Sequence, residues 1–123
     1  MPADASAQQK VAGDQKQIIN ATWNLRRAQP PGPSFPQDVA VVRGSQDEAR
    51  TQAEEAAAEV EEPMRAALWK AVTGEMEKAV GHLGAQPAAL PDALVAEQSA
   101  YQALLKLRER ETEVNRRRQN QPG

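Results

Sequence analysis

Apolar residues recur every three or four positions along most of this chain, and that spacing predicts helices. The cleanest run carries Ala49, Ala53, Ala56, Ala57, Val60, Met64, Ala67, Leu68 and Ala71 down one side, as one face of a helix does. Ser45-Gln46-Asp47-Glu48 marks its start. A Ser45 hydroxyl oxygen there accepts the Glu48 N–H and the Glu48 carboxylate reaches back to the Ser45 N–H, a capping box.

The same reading extends to the rest of the chain. A first helix is expected over residues 6–29, with Val11, Ile18 and Leu25 seven apart, Thr22 between them, and Gly13 weakening the run. Pro30, Pro31, Pro33 and Pro36 then remove backbone donors and fix φ, so residues 30–36 read as an extended linker. Val39-Ala40-Val41-Val42 follow. A lone strand has no partner, so they read as an apolar clip over the helices. The long helical region spans about 46–83 and is kinked or divided at Pro63, with Glu61 and Glu62 suited to the start of a new helix. Gly81 and Gly84 mark its end, 85–91 is a connector, and a last helix covers about 92–117. Leu94, Tyr101, Leu105 and Arg108 share one side of that helix, broadened by Ala93, Ala100, Leu104, Leu107 and Val114.

The expected fold is therefore all-α: an elongated antiparallel helical hairpin over 45–123, with an additional N-terminal helix in 1–29 packed across it after the Pro-rich linker and clip of 30–44. At 123 residues one domain is the natural organisation. Composition thins the picture. Alanine supplies 23 residues, and Leu, Ile, Val and Phe together only 20, below the roughly 20% at which a packed core becomes doubtful. Alanine still favours the helix locally. A thin core also invites self-association, because a second copy buries more surface.

Charge adds a direction. Residues 45–62 carry a net −6 and residues 106–118 a net +3, on a chain whose net charge is −2. A hairpin turning at 84–91 lays Arg116, Arg117 and Arg118 beside 57–59, within the acidic stretch of Glu54, Glu55 and Glu59.

Candidate chemistry is sparse. With no cysteine there is no disulfide, thiolate metal site or thiol nucleophile. His82 is the only histidine, and position 79, where a Glu-x-x-His metal motif needs its carboxylate, is alanine. The acidic cluster lacks the glycine-containing loop pattern of a calcium site, so it reads as a solvated helix face. Arg116–Arg118 have no interleaved aromatic residue to stack on bases, so nucleic acid is not the expected partner. The prolines after Arg27 match a PxxP pattern and Asn20-Ala21-Thr22 a glycosylation sequon; they read as linker and helix. Trp23 and Trp69, the largest apolar groups, are core anchors or interface residues. No stretch approaches the roughly 18 apolar residues of a membrane span. The first ten residues lack a signal-peptide pattern, so the chain reads as cytoplasmic or as a piece excised from a longer one.

Two segments carry a resemblance. Gln15-Lys16-Gln17-Ile18-Ile19-Asn20-Ala21-Thr22-Trp23-Asn24-Leu25 and Gln98-Ser99-Ala100-Tyr101-Gln102-Ala103-Leu104-Leu105-Lys106-Leu107-Arg108 resemble segments of large uncharacterised bacterial membrane-anchored proteins with long helical extracytoplasmic regions. The resemblance implies a coiled-coil section of an envelope protein and supplies no active residues.

The expected function is non-enzymatic: a structural, scaffolding or protein-interaction module that associates with itself, without cofactor or metal. Its interaction candidates are Trp23, Trp69, Arg116, Arg117 and Arg118. Two alternatives remain. One is a bundle that binds a ligand or metal through buried carboxylates, with Glu97 between Ala93 and Ala100 the first candidate and Glu75 the second. The other is an adaptor gripping an acidic partner through the basic C-terminal segment.

Overall fold

The computed structural model describes the backbone of residues 3–28 and 30–120 and the side chains of 6–28 and 30–117. Among the described residues the chain is all-helical, with α1 (Ala3–Arg27), α2 (Phe35–Ala58), α3 (Pro63–Leu83) and α4 (Leu90–Asn120), and no strand. The helices form a ring: α1 and α3 each pack against both α2 and α4. Side-chain bonds fix the directions. Gln8 reaches the Leu104 carbonyl and Gln15 the Glu97 carbonyl, so α1 and α4 are antiparallel. Lys10 meets Gln52 and Gln15 meets Gln46, so α1 and α2 are antiparallel as well. Glu62, just before α3, meets Arg110 late in α4, and the short connector after Leu83 returns the chain in the opposite sense.

Prolines open these helices rather than end them. Pro36 and Pro63 lie in the first turns of α2 and α3, where the missing N–H is one that has no intrahelical partner anyway. Helix α2 therefore begins at Phe35, well before Ser45. The expected apolar clip is its first half: Val39 and Val42 lie on the buried face that continues through Gln46, Ala49, Ala53 and Ala56, while Val41 is exposed. Ser45 is an exposed mid-helix residue, so the Ser45–Glu48 capping box does not form. At the true start, Ser34 donates its hydroxyl to Asp38 Oδ2 at 2.9 Å.

Pro63 divides the long helical region. Glu62 has extended backbone (φ −66°, ψ 123°) and its carboxylate accepts the Arg65 N–H at 2.7 Å, capping α3. The interruption resets the helical phase. Helix α3 buries Trp69, Val72, Met76, Ala79 and Leu83, while Met64, Ala67 and Ala71, expected on the buried seam, are exposed. Burying the indole and a row of large side chains removes more apolar area from water than the alanine row would. Helix α4 shows a smaller shift of the same kind. Leu90, Ala93, Glu97, Ala100, Leu104 and Leu107 run along its buried side, Tyr101 and Leu105 are half-buried, and Arg108 is exposed.

Candidate functional site

Helix α1 carries three buried polar residues, Gln8, Gln15 and Thr22, spaced seven apart and interleaved with Val11, Ile18 and Leu25. Seven residues are nearly two helical turns, so all six line one seam. The side-chain amides of Gln15 and Gln46 exchange hydrogen bonds, Gln15 Nε2 to Gln46 Oε1 at 2.9 Å and Gln46 Nε2 to Gln15 Oε1 at 2.8 Å. Gln15 gives its second amide proton to the Glu97 carbonyl at 3.3 Å. Two turns further, Gln8 donates to the Leu104 carbonyl at 3.3 Å.

Glu97 completes this layer and is 0% exposed. Its Oε2 lies 2.8 Å from Thr22 Oγ1, which is also 3.0 Å from the Ile18 carbonyl. The other oxygen, Oε1, is buried without a hydrogen-bond partner among the described residues. Burial disfavours the charged form and pushes the carboxyl up to about 7, against the Thr22 contact, which lowers it. The hydroxyl makes two short contacts with one proton. Both contacts of the Thr22 hydroxyl are accounted for when the neutral carboxyl donates to Thr22 Oγ1 and Thr22 donates to the Ile18 carbonyl.

The residues singled out in the sequence do not assemble into one site. Trp69 is 1% exposed and belongs to the core. Trp23 is 41% exposed on the outer side of α1, with the Arg26 guanidinium 5.4 Å from its ring centre. Arg116 is exposed. Arg117 bonds Glu113 of its own helix at 3.2 Å, and the side chain of Arg118 lies outside the described residues. The proposed facing of Arg116 and Arg117 against Glu54, Glu55 and Glu59 is thus not the contact formed. Arg110 instead bridges to Glu62, Nε to Oε1 at 2.6 Å, while α2, which carries Glu54 and Glu55, packs on α1 and α3 rather than on α4. The Glu62 carboxyl is held below its ordinary value by the Arg65 N–H first and by Arg110 as well. Glu54 pairs with Arg50 at 2.6 Å. Glu75, the second buried-carboxylate candidate, bonds Lys78 at 3.2 Å at the surface of α3. His82 is half-buried in the last turn of α3.

Among the described residues no three His, Asp or Glu side chains gather as a metal-binding group, and no helix is long and apolar enough to cross a membrane. A cleft of about 380 Å³ between α1 and α2 is floored by Ile18, Ala21 and Val42 and rimmed by Lys10, Asp14 and Glu48. Glu97 does not line it. No family model, no curated protein and no solved structure matches this chain.

Proposed function

We propose that this protein is a non-enzymatic helical interaction module that associates with a second copy of itself through the outer face of α3. The observation that carries this reading is the exposure of the alanine row that the sequence marks as a packing seam. Met64 is 55% exposed, and Ala67, Ala71, Gly74 and Gly81 follow it along the same face. A Cβ built at Gly74 or Gly81 meets nothing within 4 Å, so the surface is open. Small side chains let two helices approach closely, and the α3–α4 hairpin gives such a contact a rigid backing. Lys78, on the same face, is turned to Glu75.

The rival reading, a bundle that holds a ligand on a buried carboxylate, draws on Glu97. That carboxyl is met by Thr22 of its own fold, and the α1–α2 cleft does not reach it. Self-association therefore has the better support.

Light scattering over a wide range of concentration tests the reading. Mass should rise with concentration in the unaltered chain. Gly74→Arg should give a monomer with unchanged helical circular dichroism, since arginine is a good helix former and there is room for it. A monomer at every concentration overturns self-association. Association that persists in Gly74→Arg and in Ala67→Asp overturns the assignment to α3.

A further inference from the structure

Helix α1 is the least apolar in its attachment. Val11 and Ile18 are its fully buried apolar side chains among the described residues, against a long row on α4. Ala7, Ala12, Ala21 and Leu25 are only partly buried against the core, and polar contacts complete the seam: Gln8 to Leu104, Gln15 to Gln46 and Glu97, and Thr22 to Glu97. Among the described residues it touches only α2 and α4, and the proline-containing segment 30–34 joins it to the rest of the bundle. Removing α1 leaves α3 packed against both α2 and α4, with Trp69, Met76, Leu83 and Leu107 still in the core cluster.

We propose that the Glu97–Thr22 contact is a proton-operated latch: the neutral carboxyl keeps α1 docked, and its ionisation releases α1 from α2 and α4. The proton count at Thr22 is the structural basis. One hydroxyl proton cannot serve both the Ile18 carbonyl and a carboxylate, whereas a carboxylic acid supplies the second proton itself. Ionisation also puts charge on Oε1, which is buried with no hydrogen-bond partner among the described residues. With the carboxyl raised from 4.5 to about 7, the change runs through the mildly acid range and levels off above about 7.

Among the described residues no charged side chain compensates that charge; burial and the Thr22 hydroxyl alone move the carboxyl. From α1 it meets Gln15 and Thr22; Lys16 and Arg26 are exposed, and Asp14, at the rim of the α1–α2 cleft, is paired with Lys10 at 3.0 Å. From α2 the layer presents Gln46, with Asp47 and Arg50 paired to each other at 2.8 Å and Arg43 exposed. On α3, the register that sets Glu62 beside Arg110 brings the turn of Glu75 and Met76 to its level; Met76 is buried, Glu75 is turned to Lys78, and His82 sits nearer the helix end. On α4 itself, Asp92 is exposed and Tyr101 half-buried.

Amide hydrogen exchange, corrected for the intrinsic rate, tests the latch. Between about pH 6 and about pH 8 the opening of α1, read at Val11, Ile18 and Thr22, should increase about tenfold, as linkage requires for a group moved from its ordinary value to about 7. Val72 and Met76 of α3 should keep their protection. Glu97→Gln should remove the pH dependence, and Glu97→Met serves the same purpose if the glutamine variant does not fold. His82→Asn should leave the dependence intact. A flat profile in the unaltered chain, the same slope in the neutral variants, loss of the slope in His82→Asn, or equal loss of protection in α1 and α3 would each overturn the latch.

Discussion

Gln15 and Gln46 hold each other across the α1–α2 seam by two opposed amide hydrogen bonds, at 2.9 and 2.8 Å, with both side chains fully buried. Each amide is the other's partner, so neither is satisfied alone. A pair of this kind penalises any slip of α1 along α2, because a shift separates both bonds at once and strands two polar groups in the core.

That reciprocity makes the pair testable. Gln15→Leu should cost about 1–3 kcal/mol, since the Gln46 amide then lies buried without its partner. The double change Gln15→Leu with Gln46→Leu should cost less than the two single changes added together. Urea unfolding of the four species gives the coupling energy. Additive costs would show that the two amides do not depend on each other.

Two carboxyls should shape stability against pH in opposite directions. Glu62 is held below its ordinary value of 4.5, so its contribution is present above that value and lost as pH falls through its lowered position. Glu97 is raised from 4.5 to about 7, so its contribution is full below 4.5 and lost as pH rises toward about 7. The Glu97 change amounts to roughly 3 kcal/mol across that window. Urea midpoints should therefore fall on both sides of mildly acid pH. Glu97→Gln should remove only the decline toward neutral pH, and Glu62→Gln only the acid decline.

The two tryptophans should behave as opposites. Trp69, buried beneath α2 and α4, should emit as an indole out of water, and Trp69→Ala should cost about 3–5 kcal/mol. Trp23 is 41% exposed beside Arg26 and should carry the acrylamide quenching. Trp23→Ala should change stability by about 0.5 kcal/mol or less. Fluorescence of the two single-tryptophan variants, with their melting curves, separates the assignments.

Helix content was legible in the sequence because periodicity is a local property. The phase and the boundaries were not, because they depend on what competes for burial. Ser45 and Glu48 have the residues of a capping box, yet Pro36 opens the helix earlier and the valines at 39 and 42 extend its buried face. The alanine row through Met64, Ala67 and Ala71 continues a good stripe on paper, but the stop before Pro63 lets α3 turn so that Trp69 and Met76 are buried instead. Glu97 was visible as a carboxylate between two alanines. Of its neighbours, Thr22 fell on the α1 stripe by its spacing, whereas Gln8, Gln15 and Gln46 do not register in an apolar periodicity. Their signal was polar side chains at sevenfold spacing inside an apolar seam.

The phase of α3 yields the last prediction. Ala67 is exposed, so Ala67→Asp should leave the melting temperature of the monomer within the change expected for about 0.5 kcal/mol, where a seam position would cost several times more. At Gly74 a Cβ meets nothing within 4 Å, so Gly74→Ala should gain stability from reduced freedom of the unfolded chain, about 0.5–1 kcal/mol. The pair of variants is informative together, measured by thermal melts at a concentration low enough to hold the chain monomeric. A large loss in Ala67→Asp would place that residue in the core, and a loss in Gly74→Ala would mean that another surface closes on α3 at that point. Small effects in dilute solution, together with a loss of association for Ala67→Asp when concentrated, separate the stability of the bundle from the use of its outer face.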